Sequence, residues 1–176
     1  MASGKGRVGA YLSQNYDIER MRSSDPLRRV LDIFQIPQSR ENLSALSTFL
    51  RETYGKDVLS KAMSHFLLAS PKPIALFDGM RLMVDVEHFR QFDNFHLLYV
   101  DATPDIRYQR YIARNEIPGD AQMTREEFDF RDNQEPEREI ESLKQIADFV
   151  FDNSTNNPED LDRQVDECMK RVMKTA

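Results

Sequence analysis

Ser3-Gly4-Lys5-Gly6 opens this 176-residue chain, and it has the form of the closing half of a phosphate-binding loop. The complete pattern, G-x-x-x-x-G-K, leaves a strand and enters a helix. Its glycines let backbone N–H groups close around phosphate oxygens, and its lysine reaches the outer phosphates of a nucleotide. Here Gly4 and Lys5 supply the closing pair, and Val8 to Gln14 can continue as the helix. The opening glycine would fall ahead of Met1. The expectation is a natural start about one strand (~5–6 residues) plus half a loop earlier.

Other residues have the types that phosphate chemistry uses. Asp78 closes the apolar run Ile74-Ala75-Leu76-Phe77, where a carboxylate is positioned to hold magnesium through water or, more plainly, to cap the next turn. Arg81 follows and would clamp the transferred phosphate or the acceptor. In Ser24-Asp25-Pro26-Leu27-Arg28 the arginine stands one turn into a helix, where its bidentate fork suits an acceptor phosphate; the alternative is an ordinary exposed helical arginine. Arg107, Arg110 and Arg114 recur at helical spacing and share a face. Like charges so placed repel unless an anion or acidic neighbours compensate them, and Asp101 and Asp105 are the acidic neighbours at hand. Ligand contact is expected for one or more of the three. Arg131 is a weaker candidate of the same kind.

The bulk properties narrow the class. A net charge of −6, from 24 basic and 30 acidic residues, argues against general nucleic-acid binding, which needs a basic surface. Basic clusters inside an acidic chain suit a small polyphosphate. No apolar run approaches the ~20 residues of a membrane helix, and the first residues lack the apolar stretch of a signal peptide. A single cysteine, Cys168, excludes an internal disulfide, and the three histidines, His65, His88 and His96, have no zinc spacing. The expectation is a cytoplasmic protein, monomer or homodimer, without a structural metal.

Elements must position these residues. A helix is expected from Gly6 to Gln14, and a short strand from Asp17 to Met21. Asp25 as N-cap with Pro26 after it begins a helix that ends before Pro37. A second helix starts near Ser39, with Leu43, Leu46, Phe49 and Leu50 on one face and Gly55 as its stop; a third spans about Val58 to Leu68. Buried strands follow at Ile74 to Phe77 and His96 to Val100, with a helix near Val84 to Phe92 between them. Thr103-Pro104 caps the arginine helix, and Asn115 to Met123 reads as a mobile loop. Thr124 with Glu127 forms a capping box. Then come a helix from Glu137 to Ala147, a strand from Phe149 to Phe151, and a last helix whose stripe of Leu161, Val165, Cys168, Met169 and Val172 makes the cysteine a core residue. Short apolar strands alternating with helices imply a parallel sheet with ligands at its carboxyl rim. Asp78-Gly79, Asp101 and Asp152-Asn153 are expected just past strand ends, on one rim with Gly4-Lys5.

In this order and at these intervals, the segments resemble P-loop kinases related to adenylate kinase and dephospho-CoA kinase. They are A-S-G-K-G at 2–6, S-D-P-L-R at 24–28, R-E-N-L-S-A-L at 40–46, L-R-E-T-Y-G at 50–55, F-D-G-M-R at 77–81, D-A-T-P-D-I-R-Y-Q-R-Y-I-A-R at 101–114 and A-D-F-V-F-D-N at 147–153. The resemblance covers nearly the whole chain. It implies one three-layer α/β P-loop kinase domain over 1–176, with an acceptor-binding helical insert about 24–70 and a lid about 107–135. It implies ATP and magnesium, with transfer of the γ-phosphoryl group to a nucleotide or other small phosphorylated acceptor. Ser3, Gly4, Lys5, Gly6 and Arg7 would hold the donor phosphates. Arg28, Arg51 and Arg107 would face the acceptor, Arg51 lying in the insert beside Arg40. Lys5, Asp78, Arg81, Arg110 and Arg114 would do the chemistry, with Asp78 at the metal. Arg7 stands where relatives commonly have threonine, which takes away a hydroxyl ligand for magnesium. The strand before the loop is central in this fold, and each buried backbone group left unpaired by its loss costs ~1–3 kcal/mol. A non-catalytic nucleotide- or partner-binding protein of the same fold is the alternative.

Overall fold

The computed structural model describes residues 2–114, 120–133, 137–155 and 157–175. The chain divides into two compact units, one made of residues 1–11 and 96–176 and the other of residues 12–95. The division falls within the first helix, α1 (Lys5–Asn15).

The continuous unit, residues 12–95, holds a two-stranded parallel ladder of β1 (Ile18–Arg22) and β2 (Ile74–Asp78), in register from Ile18↔Ile74 to Arg22↔Asp78. Between the strands run α2 (Asp25–Ile33), α3 (Arg40–Tyr54) and α4 (Val58–Leu68), and α5 (Met83–Phe89) follows β2. Its core gathers Met21 of β1, Met63 of α4 and Phe89 of α5, with Phe66, Phe77 and Phe92 packed around them. Ser39 caps α3 by accepting from the Asn42 N–H, and Gly55 closes it at φ +106°. That is the left-handed conformation glycine adopts without a Cβ penalty.

Two expectations shift here. Ser24, not Asp25, is the N-cap of α2; the Asp25 carboxylate instead accepts the Arg22 N–H at 2.8 Å, tying the strand end to the helix start. The apolar side of α3 is also not a core face. None of its residues is buried, Phe49 and Tyr54 on it are 56% and 63% exposed, and Ile33 and Phe34 at the end of α2 are 75% and 70% exposed.

The other unit pairs β3 (Leu98–Asp101) with β4 (Phe149–Asp152), again parallel. It contains α6 (Pro104–Arg114), a 3₁₀ turn at Asp120–Gln122, α7 (Arg125–Asp132), α8 (Glu137–Gln145) and α9 (Pro158–Thr175). Thr124 and Glu127 form the reciprocal capping box of α7. Leu161, Val165, Cys168 and Met169 of α9 are buried as the stripe requires, and a second cluster gathers Tyr111, Met123 and Phe128.

The architecture is α/β with parallel strands, as expected; the described strands join as two separate pairs. The strands are less buried than their apolar runs imply: no residue of β3, and only Asp78 of β2, is fully buried. Asp78, Asp101 and Asp152, expected just past strand ends, are the final residues of their strands. Residues 115–119, most of the expected mobile loop, lie outside the described residues. Among the described residues, no helix is long and apolar enough to cross a membrane.

Candidate functional site

The glycine–lysine turn lies where its sequence puts it, at the amino terminus of α1. Gly4 has φ +105°, and its carbonyl accepts the N–H groups of Arg7 at 2.9 Å and Val8 at 3.2 Å to start the helix. Lys5 is the first helical residue and is exposed. The helix dipole and the N–H groups of a first turn favour an anion at this end. Gly6 faces open space: a Cβ there would meet no atom within 4 Å.

Behind the turn sits Asn153, the residue after β4. It is buried, and its Nδ2 donates to the Ser3 carbonyl at 2.7 Å. Its own N–H donates to the Asp101 carbonyl at 2.8 Å, continuing the β3–β4 ladder by one step. Asn153 and Asp101 therefore join Ser3-Gly4 on one rim, as the strand ends imply. The Asp101 carboxylate accepts from Lys144 of α8 at 2.5 Å, and that hydrogen bond raises the lysine pKa. The Ser154 side chain and N–H hold the Asp152 carboxyl below the usual carboxylate range.

The arginines of α6 part company. Arg107 does not reach out to a ligand. Its Nη1 grips both oxygens of Asp132 at 2.5 and 2.6 Å, and its Nε donates to the Ala102 carbonyl at 3.0 Å. Burial pushes the Asp132 carboxyl upward, but hydrogen bonding to Arg107 and neighbouring positive charge outweigh it and the net shift is down. Neither acidic neighbour expected to compensate the arginines does so: Asp105 pairs with Arg125 at 2.5 Å, and Asp101 with Lys144. Arg110 turns to the Asn153 region, where its Nη2 donates to Asn153 Oδ1 at 3.4 Å and to the Thr155 carbonyl at 3.0 Å. Its Nη1 is buried without a hydrogen-bond partner among the described residues, and burial lowers its pKa. Arg114 ends α6, and its side chain lies outside the described residues. Arg7 reaches α9, where it pairs with Asp162 at 2.7 Å.

In the continuous unit Asp78 is buried and its Oδ2 accepts from Arg20 Nη2 at 2.6 Å. Arg20 lies two residues before the register partner of Asp78 on the neighbouring strand, the diagonal position for a cross-strand pair. Gly79 follows at φ +105°, where a Cβ would stand 3.0 Å from Ser23 Oγ, so the bend after β2 calls for glycine. Arg81 is exposed beyond it. Arg28 donates to Gln38 at 2.7 Å, a neutral partner that leaves its charge in place. Arg51 is bound inward: it pairs with buried Asp85 at 3.4 Å and donates to the Lys56 carbonyl, while Ser60 donates to the same aspartate at 2.5 Å. Its geometry is that of a clamp between helices, not of an acceptor contact.

Sequence reasoning left Arg20 out of the site, and it put Asn153 on the rim with the glycine–lysine turn without giving it a role. For Arg20 the missing information is strand register. For Asn153 the signal was present, since a polar residue directly after a strand in an α/β chain points at the rim.

No family model matches the chain. It is 31% identical over 155 residues to UPF0200 proteins of Saccharolobus islandicus and Saccharolobus solfataricus, covering 87% of this chain and 80% of theirs. To a UPF0200 protein of Sulfurisphaera tokodaii it is 28% identical over 171 residues, 97% of this chain and 92% of that one. Among solved structures it is similar to shikimate kinase from Bacteroides thetaiotaomicron, with a TM-score of 0.62 and 13% identity over 98% of this chain and 94% of that one. It is also similar to TT1252 from Thermus thermophilus, with a TM-score of 0.57 and 19% identity over 99% and 93%. At these identities the likeness is one of fold, that of the P-loop kinases.

Proposed function

This chain belongs to the UPF0200 family, and we propose that it transfers the γ-phosphoryl group of ATP to a nucleotide or other small phosphorylated acceptor, as the kinases related to adenylate kinase and dephospho-CoA kinase do. The observation that carries this reading is the glycine–lysine turn at the start of α1, backed by Asn153 and Arg110, in a chain with a P-loop kinase fold.

In this reading Ser3, Gly4, Lys5 and Gly6 hold the donor phosphates through backbone N–H groups and the ammonium. Arg110, with a buried nitrogen still unpartnered among the described residues, supplies a donor for developing charge. Arg114 stands beside it at the end of α6, and Arg81 at the exposed bend after β2. The α2–α4 segment, about 24–70, takes the acceptor through Arg28, and the segment about 107–135 closes over the donor so that water is excluded. Asp78 is the carboxylate this reading gives to magnesium, which would have to share it with Arg20 or displace it. Such an ion takes one or two protein carboxylates when phosphates and waters complete its shell, so a lone aspartate is a sufficient donor. When bound, magnesium would neutralise charge on the transferring group.

The test is ADP formation from ATP by the full chain against a panel of nucleoside monophosphates and dephospho-CoA. One acceptor should stimulate turnover, and Lys5→Ala should lower it at least about a hundredfold. Failure of the chain to bind ATP would sink the reading.

The Arg20–Asp78 pair favours the second reading, a non-catalytic nucleotide-binding protein, because a guanidinium already sits on the carboxylate that magnesium would use. ATP binding that Lys5→Ala abolishes, with no acceptor giving ADP, supports that alternative.

A further inference from the structure

We infer that Asn153 is a positioning residue for the glycine–lysine turn, a neutral side-chain clamp that fixes the turn for the phosphates and links it to α6. The assignment deepens the proposed function and rests on it. Three observations converge on this one amide. Its Nδ2 donates to the Ser3 carbonyl at 2.7 Å. Its Oδ1 accepts from Arg110 at 3.4 Å. It also packs so closely on Gly4 that a Cβ there would lie 2.1 Å from Nδ2 and 3.3 Å from Cγ. Gly4 thus meets two demands, a left-handed φ of +105° and contact with the amide, and only glycine satisfies both.

The chemistry singles out asparagine. A carbonyl and a guanidinium flank it, so the site needs a donor on one side and an acceptor on the other. The amide offers both, and the reversed orientation would set oxygen against oxygen and N–H against N–H. Aspartate matches the shape but loses the donor and places a negative charge beside the Ser3 carbonyl. The backbone of Asn153 is itself fixed by its bond to the Asp101 carbonyl at 2.8 Å, so the clamp is anchored on the β3–β4 ladder.

The experiment titrates ATP into the full chain and into Asn153→Asp, at a temperature where both are folded, and follows backbone hydrogen exchange over residues 3–8. A clamp predicts about tenfold weaker ATP binding, the loss of one buried hydrogen bond, together with faster exchange confined to the turn and the start of α1. A side chain important only for folding would lower the thermal midpoint and leave the affinity of the folded protein unchanged; that result overturns the assignment. Wild-type protein that fails to bind ATP removes the reading beneath it, and unchanged exchange at residues 3–8 in Asn153→Asp removes the clamp itself. Should the variant not fold, the wild type still decides. Its Asn153 side-chain amide protons should exchange slowly and show nuclear Overhauser contacts to the Gly4 α-protons, with shifts on adding ATP. Fast exchange without those contacts contradicts the inference.

Discussion

Both units hold an inward arginine on a carboxylate, but only the discontinuous one also holds Arg110, which has none among the described residues. In the continuous unit, Arg20 and Arg51 each meet a buried carboxylate, Asp78 at 2.6 Å and Asp85 at 3.4 Å. In the other unit, Arg110 meets only the amide oxygen of Asn153 and the carbonyl of Thr155 among the described residues. A guanidinium neutralised by an aspartate holds helices and strands together. One surrounded by neutral oxygens keeps its charge, and an incoming anion can complete it. The comparison separates three cations held by carboxylates, Arg20, Arg51 and Arg107, from Arg110, held by neutral oxygens beside the glycine turn.

The largest effect should come from breaking the structural side. Asp85→Ala leaves the Arg51 guanidinium and the Ser60 hydroxyl without their shared acceptor and should cost about 3–5 kcal/mol in urea unfolding. Gly4→Ala forces a Cβ into a left-handed position against Asn153. It should cost about 1–3 kcal/mol of strain and weaken ATP binding in a titration. Arg110→Met sharpens the contrast directly. It removes a cation that has no carboxylate partner among the described residues, so the thermal midpoint should not fall, while ATP affinity drops about tenfold. If Arg110→Met destabilises the fold as Asp85→Ala does, the two units are alike after all.

The smallest effect concerns Arg107 and Asp132, a structural pair in the same unit as Arg110. The folded-state pKa of Asp132 is depressed below 3.8. Its contribution is therefore complete above the unfolded value and is lost as pH falls through the lower folded one. Stability measured from pH 6 down to about pH 2 should show this loss below about pH 4, and Asp132→Asn should flatten that part of the curve.

Local rules made much of this fold legible. Ser39 and Gly55 bracket α3, Thr124 and Glu127 start α7, and the apolar stripe of α9 is buried from Leu161 to Met169, with Val172 half-buried. Each of these signals acts over a few residues of chain. What stayed hidden depends on register and partner choice. Nothing in the run of β1 says that Arg20 will lie diagonal to Asp78, nor does spacing on α6 say that Arg107 turns to Asp132 while Arg110 turns to Asn153. The site was half legible for the same reason: the glycine–lysine turn is a local motif and the strand end put Asn153 on its rim, whereas the bond from that amide to Ser3, 150 residues away, is a choice of partner. The apolar face of α3 misled because periodicity marks a stripe without saying whether anything covers it.

Cys168 gives the molecule a built-in reporter. It is the chain's only thiol, it is buried on α9, and burial pushes its pKa up to about 11. At neutral pH only on the order of one thiol in ten thousand is ionised while the chain stays folded. An alkylating reagent therefore modifies the protein essentially when that helix has opened. The labelling rate, followed by mass with and without ATP, reads how often the protein opens and whether ATP holds it shut, with no engineered probe.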